Sequence, residues 1–359
     1  VAGPGEHRLE ASAALLRLDP DGGLIRGFEV RDAGRRIAPL HRAPWAGSPI
    51  PRGLPPHLTR LEGDFFCAPF ADGGGAAPVL HGWPGNGRWE VGAGDAGPPE
   101  LVARLERQVQ GARVEKRLRL IDGHPFLYQS HRFLGGAGAL SAANHAMVAL
   151  PGGGRLSFSP KRVFRTPAAA PEPDPARGRS CLAYPAAAAD PRAFPAAGGG
   201  TVDLTRYPWG PAHEDFVIAL EAEDHGRDRA LGWTAVVRLG RGDAFLSLRN
   251  ARQLPMTMLW HSNGGRDYAP WSSRHRACLG VEEGRAPHML GEEGGFALSP
   301  GGVLDIRHAI GAIAWPGEAP ISRVAAAGGV LRIEGEDGAV REVPFDVDHL
   351  FPDRGSIAS

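Results

Sequence analysis

Residues Met256–Gly284 read MTMLWHSNGGRDYAPWSSRHRACLGVEEG. An apolar run ends in Trp260, turns through Asn263-Gly264-Gly265, and returns as a strand running into Glu282. From Arg274 the residues alternate: Arg274, Arg276, Cys278, Gly280 and Glu282 share one face, and Ala277, Leu279 and Val281 the other. The apolar face reads as core. Glu282 therefore projects from the opposite face, beside a glycine that removes bulk where a ligand would approach the backbone. A carboxylate at the end of a half-buried strand, near a Trp and two Arg, suits a sugar-handling site. Structural ion pairs use the same pattern more often.

The stretch Ala139–Leu150, ALSAANHAMVAL, is apolar on both faces, as in a strand in the middle of a sandwich. His145 sits there among Ala143, Met147 and Ala149. A buried imidazole needs a partner or a ligand, because an unpaired buried polar group costs on the order of 1–3 kcal/mol. A second histidine, His81, lies in LHGWPGN, where Gly82 and Pro84 force a tight, irregular backbone. A histidine on such a loop is either a surface residue or a functional one. Arg60–Phe70 has an aromatic centre, with Arg60, Glu62 and Asp64 as charges at its entry.

Elsewhere short apolar segments recur about every ten residues between Gly and Pro, the rhythm of a β-sandwich or barrel. Leu9–Leu18 and Gly23–Val30 form a hairpin across Asp19–Gly23. Leu101–Gln110, Ala112–Ile121 and Pro125–Phe133 form a meander, and hairpins follow at Gly301-Gly302 and over Gly335–Gly338. Residues 43–56 read as a surface loop. Residues 166–200, rich in Ala, Pro and Gly, cannot bury much and read as a low-complexity surface insertion or lid. Strand rhythm resumes unchanged after it, and no long amphipathic helix is evident. The expected fold class is all-β, one large β-supersandwich domain over residues 1–359.

The bulk numbers exclude several functions. The 359 residues carry 40 basic and 40 acidic side chains, so neither nucleic acid nor an anionic membrane is an expected partner. No apolar run approaches membrane-spanning length, and the start has no signal-peptide pattern, although it begins at Val1 without Met. Three cysteines without metal-ligand spacing suggest no disulfide framework, and a cytoplasmic location is the expectation. GxGxxG, Walker, GxSxG, HExxH and CxxC patterns are missing, so neither cofactor nor metal is expected. What remains, two imidazoles and one carboxylate, suits metal-free general acid–base work.

In order, Arg60…Ala68-Pro69-Phe70, His81-Gly82-Trp83, Asn144-His145-Ala146-Met147, Met258-Leu259-Trp260 and Leu279-Gly280-Val281-Glu282-Glu283-Gly284 resemble the aldose 1-epimerase (galactose mutarotase-like) superfamily. The likeness includes the glucose-6-phosphate 1-epimerase-type branch and spans roughly residues 24–284. It implies a concave sugar-binding face and interconversion of sugar anomers. Glu282 would be the general base, His145 the acid at the ring oxygen, and His81 a polarising hydrogen-bond partner. Arg60, Trp260 and Asp64 would contact the sugar. Two departures stand out: Gly85 occupies the place of an Arg that often follows the HG pair, with Arg88 slightly later. A substrate-binding Asp has only Asp203 and Asp215 as counterparts. Clustered cations for a sugar phosphate could come only from Arg60, Arg274 and Arg276. Two alternatives use the same fold: a non-catalytic carbohydrate-binding protein, and a sugar lyase or hydrolase with a second carboxylate or Tyr268 beside Glu282.

Overall fold

Two large antiparallel sheets face each other in the structure, a computed structural model that describes residues 5–94, 97–222 and 230–352. The sheet that matters for the site runs through Leu24–Asp32, Asp64–Cys67, Ala142–Ala149, Cys278–Arg285, Met256–Ser262, Glu214–Glu221 and Lys161–Arg165, hydrogen-bonded in that spatial order. The opposing sheet is centred on Leu231–Arg238, Asp243–Asn250, Val303–Ala314 and Phe126–Gly135. A three-stranded sheet, Ile321–Ala327, Val330–Gly335 and Val340–Pro344, packs on its outer side through Leu331, Ile333 and Val343. Among the described residues the α-helix content is one turn, Pro56–Thr59, and no helix is long and apolar enough to cross a membrane.

Period-two alternation builds these layers. Leu279 and Val281 point between the sheets, with Ala146, Val148, Val217 and Leu259 from the same sheet and Val236, Phe245 and Ile310 from the other. Each fully buried aliphatic side chain contributes about 1.5–3 kcal/mol. The opposite face of the central strands is also covered. Phe65, Ala143, Met147, Phe216, Met258 and Trp260 pack there under loop residues Trp45, Leu61, Phe70 and Trp271. Burial on both faces explains why ALSAANHAMVAL carries no amphipathic pattern.

Three expectations are corrected. The strand that carries Glu282 spans Cys278–Arg285, so Arg274 and Arg276 belong to the preceding turn and are exposed. The segment expected as a surface loop over 43–56 has no regular structure until the helical turn begins at Pro56, yet Trp45 is fully buried and its indole N–H donates to Leu58 O at 2.7 Å. The Ala/Pro/Gly-rich stretch is a packed cover. Leu182 and Phe194 enter the sandwich core, and the Cys181 and Leu182 backbone N–H groups donate to the Asp215 carboxylate at 3.0 and 3.1 Å. Side-chain acceptors thus supplement the short strands Ala187–Ala188 and Phe194–Pro195 and the Gly178–Arg266 and Leu182–Ala196 bridges, the only sheet pairing this proline-rich stretch makes among the described residues.

Candidate active site

The register brings the key residues together. His145 lies directly opposite Glu282 across one strand pair and opposite Phe65 across the other, and Trp260 pairs with Gly280. All four side chains emerge on the face away from the sandwich core. His145 Nε2 is 3.2 Å from Glu282 Oε1, with both side chains buried. Phe65 stacks on the His145 ring at 4.5 Å. A Cβ at position 280 would stand 2.7 Å from Glu282 Oε1 and 3.0 Å from Trp260 Cβ. Glycine is therefore required, because a Cβ would collide with the Glu282 carboxylate and crowd Trp260, and the space it leaves is taken up by those side chains, not by a ligand.

His81 comes from the loop. Its φ is +66°, and Gly82 follows at the same φ, where a Cβ would sit 2.0 Å from Ala68 O. This tight turn sets the His81 ring edge-on to His145 at 5.5 Å. His81 Nδ1 accepts from the Ala71 backbone N–H at 3.3 Å, which assigns the remaining proton to Nε2 and makes that atom a donor. His57, from the single helical turn, stands edge-on to His81 at 5.0 Å. Asn86 fixes its tautomer. The Asn86 amide nitrogen donates to Leu80 O and Gly82 O, so its Oδ1 faces His57 and accepts from Nδ1 at 3.0 Å. His57 Nε2 is thereby left as an acceptor, the complement of His81.

These groups line one cavity of about 310 Å³. Phe65, Phe70, Phe216, Trp260 and Trp271 give it apolar walls. Pro167 to Pro171, from the packed cover, form part of its rim. Trp260 is held by donation from its indole N–H to Glu214 Oε1 at 2.7 Å, and the same oxygen pairs with Arg266 Nη2 at 2.8 Å. Burial governs the titration here. It pushes the Glu282 carboxyl well above the usual carboxylate range, lowers His145 to about 3 and His57 to about 4, and holds His81 well below its usual value. Desolvation drives both members of the Glu282–His145 pair toward neutrality, so the pair keeps a single proton over a wide pH interval. Glu282 Oε2 is buried and has no protein hydrogen-bond partner among the described residues.

Glu282, His145, His81 and Trp260 thus converge. Arg60 and Asp64 do not line this cavity. Arg60 sits half-exposed at the edge of other clefts, paired with Asp19 Oδ2 at 2.9 Å and Asp21 Oδ2 at 3.0 Å. Asp64 precedes the cavity-facing Phe65, so the strand period turns its carboxylate to the back of the sheet. There it accepts from Gln129 Nε2 at 2.7 Å and from the His145 backbone N–H at 3.2 Å, and burial raises it to about 6. Asp203, Asp215, Arg88, Arg274 and Arg276 do not line the cavity either. The cation that does is Arg266, in the quoted stretch but without a spacing that singles it out. His57, in the plain sequence PPHLT, had no signal at all; its importance arises from Asn86, which is distant in sequence.

Neither a protein-family model nor a curated protein sequence matches the chain. Solved structures do match in shape. One is a putative aldose 1-epimerase from Escherichia coli K12, at TM-score 0.57 and 14% identity, covering 86% of this chain and 98% of that one. A putative aldose 1-epimerase from Klebsiella pneumoniae matches at TM-score 0.53 and 16% identity, over 85% and 77% of the two chains.

The chain has the galactose mutarotase-like fold. A galactose mutarotase/aldose epimerase homologue from Caenorhabditis elegans matches at TM-score 0.51 and 12% identity over 86% and 99%. At these identities the likeness carries the mutarotase-like architecture, and the chemistry rests on the residues in the cavity.

Proposed function

We propose that the protein is an aldose 1-epimerase-like isomerase acting on a sugar hemiacetal. The observation that carries this reading is the 3.2 Å contact between His145 Nε2 and Glu282 Oε1 on the floor of an apolar cavity. Anomer interconversion needs one proton removed from the anomeric hydroxyl and one delivered to the ring oxygen, and both oxygens sit on the same carbon. A base and an acid in mutual contact match that demand. When the sugar binds, the pair's single proton passes from Glu282 to His145, and Glu282, now a carboxylate, takes the hydroxyl proton. His145, as imidazolium, gives its proton to the ring oxygen, the C1–O5 bond breaks, and a free aldehyde forms. Rotation about C1–C2 and the reverse transfers close the ring on the other face, so no atom is gained or lost. His81 Nε2–H donates to the developing charge, and His57 Nε2 accepts from a neighbouring hydroxyl. Trp260 and Phe216 cover the C–H face of the ring.

The non-catalytic reading would need neither His145 nor Glu282 in this arrangement. Among the described residues Glu282 is the one carboxylate lining the cavity, and Tyr268 does not line it, which disfavours two-carboxylate hydrolysis. Proton NMR of freshly dissolved α-glucose and α-galactose separates the readings. Accelerated approach to the anomeric equilibrium supports isomerisation, binding without acceleration supports a carbohydrate-binding protein, and a new product supports a lyase or hydrolase.

A further inference from the structure

Behind Trp260, on the side away from the cavity, two imidazoles and a thiol meet. One ring nitrogen each of His41 and His275 and the Cys278 sulfur all lie within 4.8 Å of one another. Three points no farther apart than that lie within about 2.8 Å of a common centre, and zinc bonds of roughly 2.0–2.3 Å are reached by small side-chain shifts. His275 Nδ1 is engaged with Ser262 Oγ at 2.7 Å, while its Nε2 is buried with no hydrogen-bond partner. His41 Nε2 is in the same condition. A ring nitrogen held by a hydroxyl, with the other left free, is how a metal-binding histidine is oriented. The ring contacts of His275 with Trp260 and Trp45 account for the burial of its faces. They give no reason for two histidines, each with an unpartnered ring nitrogen, to meet beside one sulfur.

We propose that His41 Nε2, His275 Nε2 and Cys278 Sγ form a site for a single zinc ion, distinct from the cavity. The thiol gives up its proton to solvent on binding, and the fourth tetrahedral position is not filled by these three residues. Glu214 and Glu282 are the carboxylates that act on the Cys278 sulfur, and Arg266, whose charge lowers His275, is already paired with Glu214. His41 is half-buried and offers the route of entry. The ligands belong to three separate segments: the chain after residue 40, the turn that follows Trp260, and the start of the Glu282 strand. The ion would therefore pin the 263–277 turn, which carries Arg266 and Trp271 into the cavity wall. His275 stacks on Trp260 at 5.3 Å, so the same ion would hold the indole that forms the cavity floor. The wide separation of His41 from the other two ligands hides this trio from any spacing motif.

Cobalt(II) is the probe, titrated into the full-length protein after treatment with a chelator. The expected result is a thiolate-to-cobalt charge-transfer band that saturates at one ion per chain and is bleached by zinc. It should disappear in Cys278→Ser and His41→Gln and persist in Cys181→Ser, and zinc should raise the melting temperature of the wild type and of Cys181→Ser but not of Cys278→Ser or His41→Gln. No band at one equivalent, or a band that survives Cys278→Ser or His41→Gln, overturns the proposal. If Cys278→Ser does not fold, the half-buried His41→Gln substitution decides by the same criterion.

Discussion

Glu282 and Glu283 are chemically identical neighbours with opposite roles. Glu282 faces an apolar cavity with one oxygen unpartnered, and burial raises its carboxyl. The rate of anomer interconversion should therefore follow the Glu282–His145 pair as a unit. Because His145 is lowered to about 3 and Glu282 is raised, neither member of the pair titrates at its ordinary value. As pH falls through about 6.5, kcat/KM should therefore show no loss from protonation of His145. A clear inflection there would mean that an ordinary imidazole limits the reaction. Arg60 makes the converse case. Its ion pairs lie outside the cavity and its side chain is 40% exposed. Arg60→Ala should leave KM for the sugar unchanged and cost no more than about 1 kcal/mol in urea unfolding.

Strand alternation was the legible part of the site at the level of elements. Leu279 and Val281 marked the core face of their strand and so set Glu282 apart from Glu283. The same reasoning applied to Asp64-Phe65 would have turned Asp64 away from the cavity, since the aromatic is the residue packed over His145. What alternation could not supply was contacts between elements. His57 depends on Asn86, and the cover's order depends on Asp215, neither of which leaves a local pattern. Glu283 belongs to the interior of the sandwich. It accepts from Thr257 Oγ1 at 2.8 Å and Thr234 Oγ1 at 2.7 Å, and pairs with Arg249 Nη1 at 2.9 Å. Arg249 in turn pairs with Glu221, to which Lys161 is also bound. Removing one member leaves a buried cation undercompensated, so Glu283→Ala should lower stability by about 3 kcal/mol in urea unfolding. The interconversion rate of the folded protein should be unchanged. A Glu283→Ala protein with native stability and no activity would invert the roles given to the two carboxylates.

The whole molecule buries an unusual number of neutral imidazoles. His41, His57 and His349 are lowered to about 4, His145, His261 and His308 to about 3, and His81, His131 and His275 are also lowered. Below an unfolded value of about 6.5 the unfolded chain takes up protons that the folded chain refuses, so stability falls as pH falls through that window. Asp64, Glu214, Asp215 and Glu282, raised by burial, act in the opposite sense, but they are fewer. The net slope between about pH 6 and pH 4.5 should exceed about 1.4 kcal/mol per pH unit, the value for a single proton. Urea midpoints measured across this range would read it directly; a flat dependence would mean that these rings are protonated in the folded state. The all-β character was legible from turn spacing alone, whereas the covering of the outer sheet face by proline-rich chain was not, because those segments carry no period.

The most direct measurement is the rate at which α-glucose or α-galactose approaches its anomeric equilibrium, followed by polarimetry with the wild type and with Glu282→Gln. The substitution keeps the shape of the side chain and removes its capacity to accept a proton. The predicted result is acceleration by the wild type that falls about 10²–10⁴-fold in the variant while the fold is retained. Equal acceleration by both proteins would contradict the assignment of Glu282 as the base.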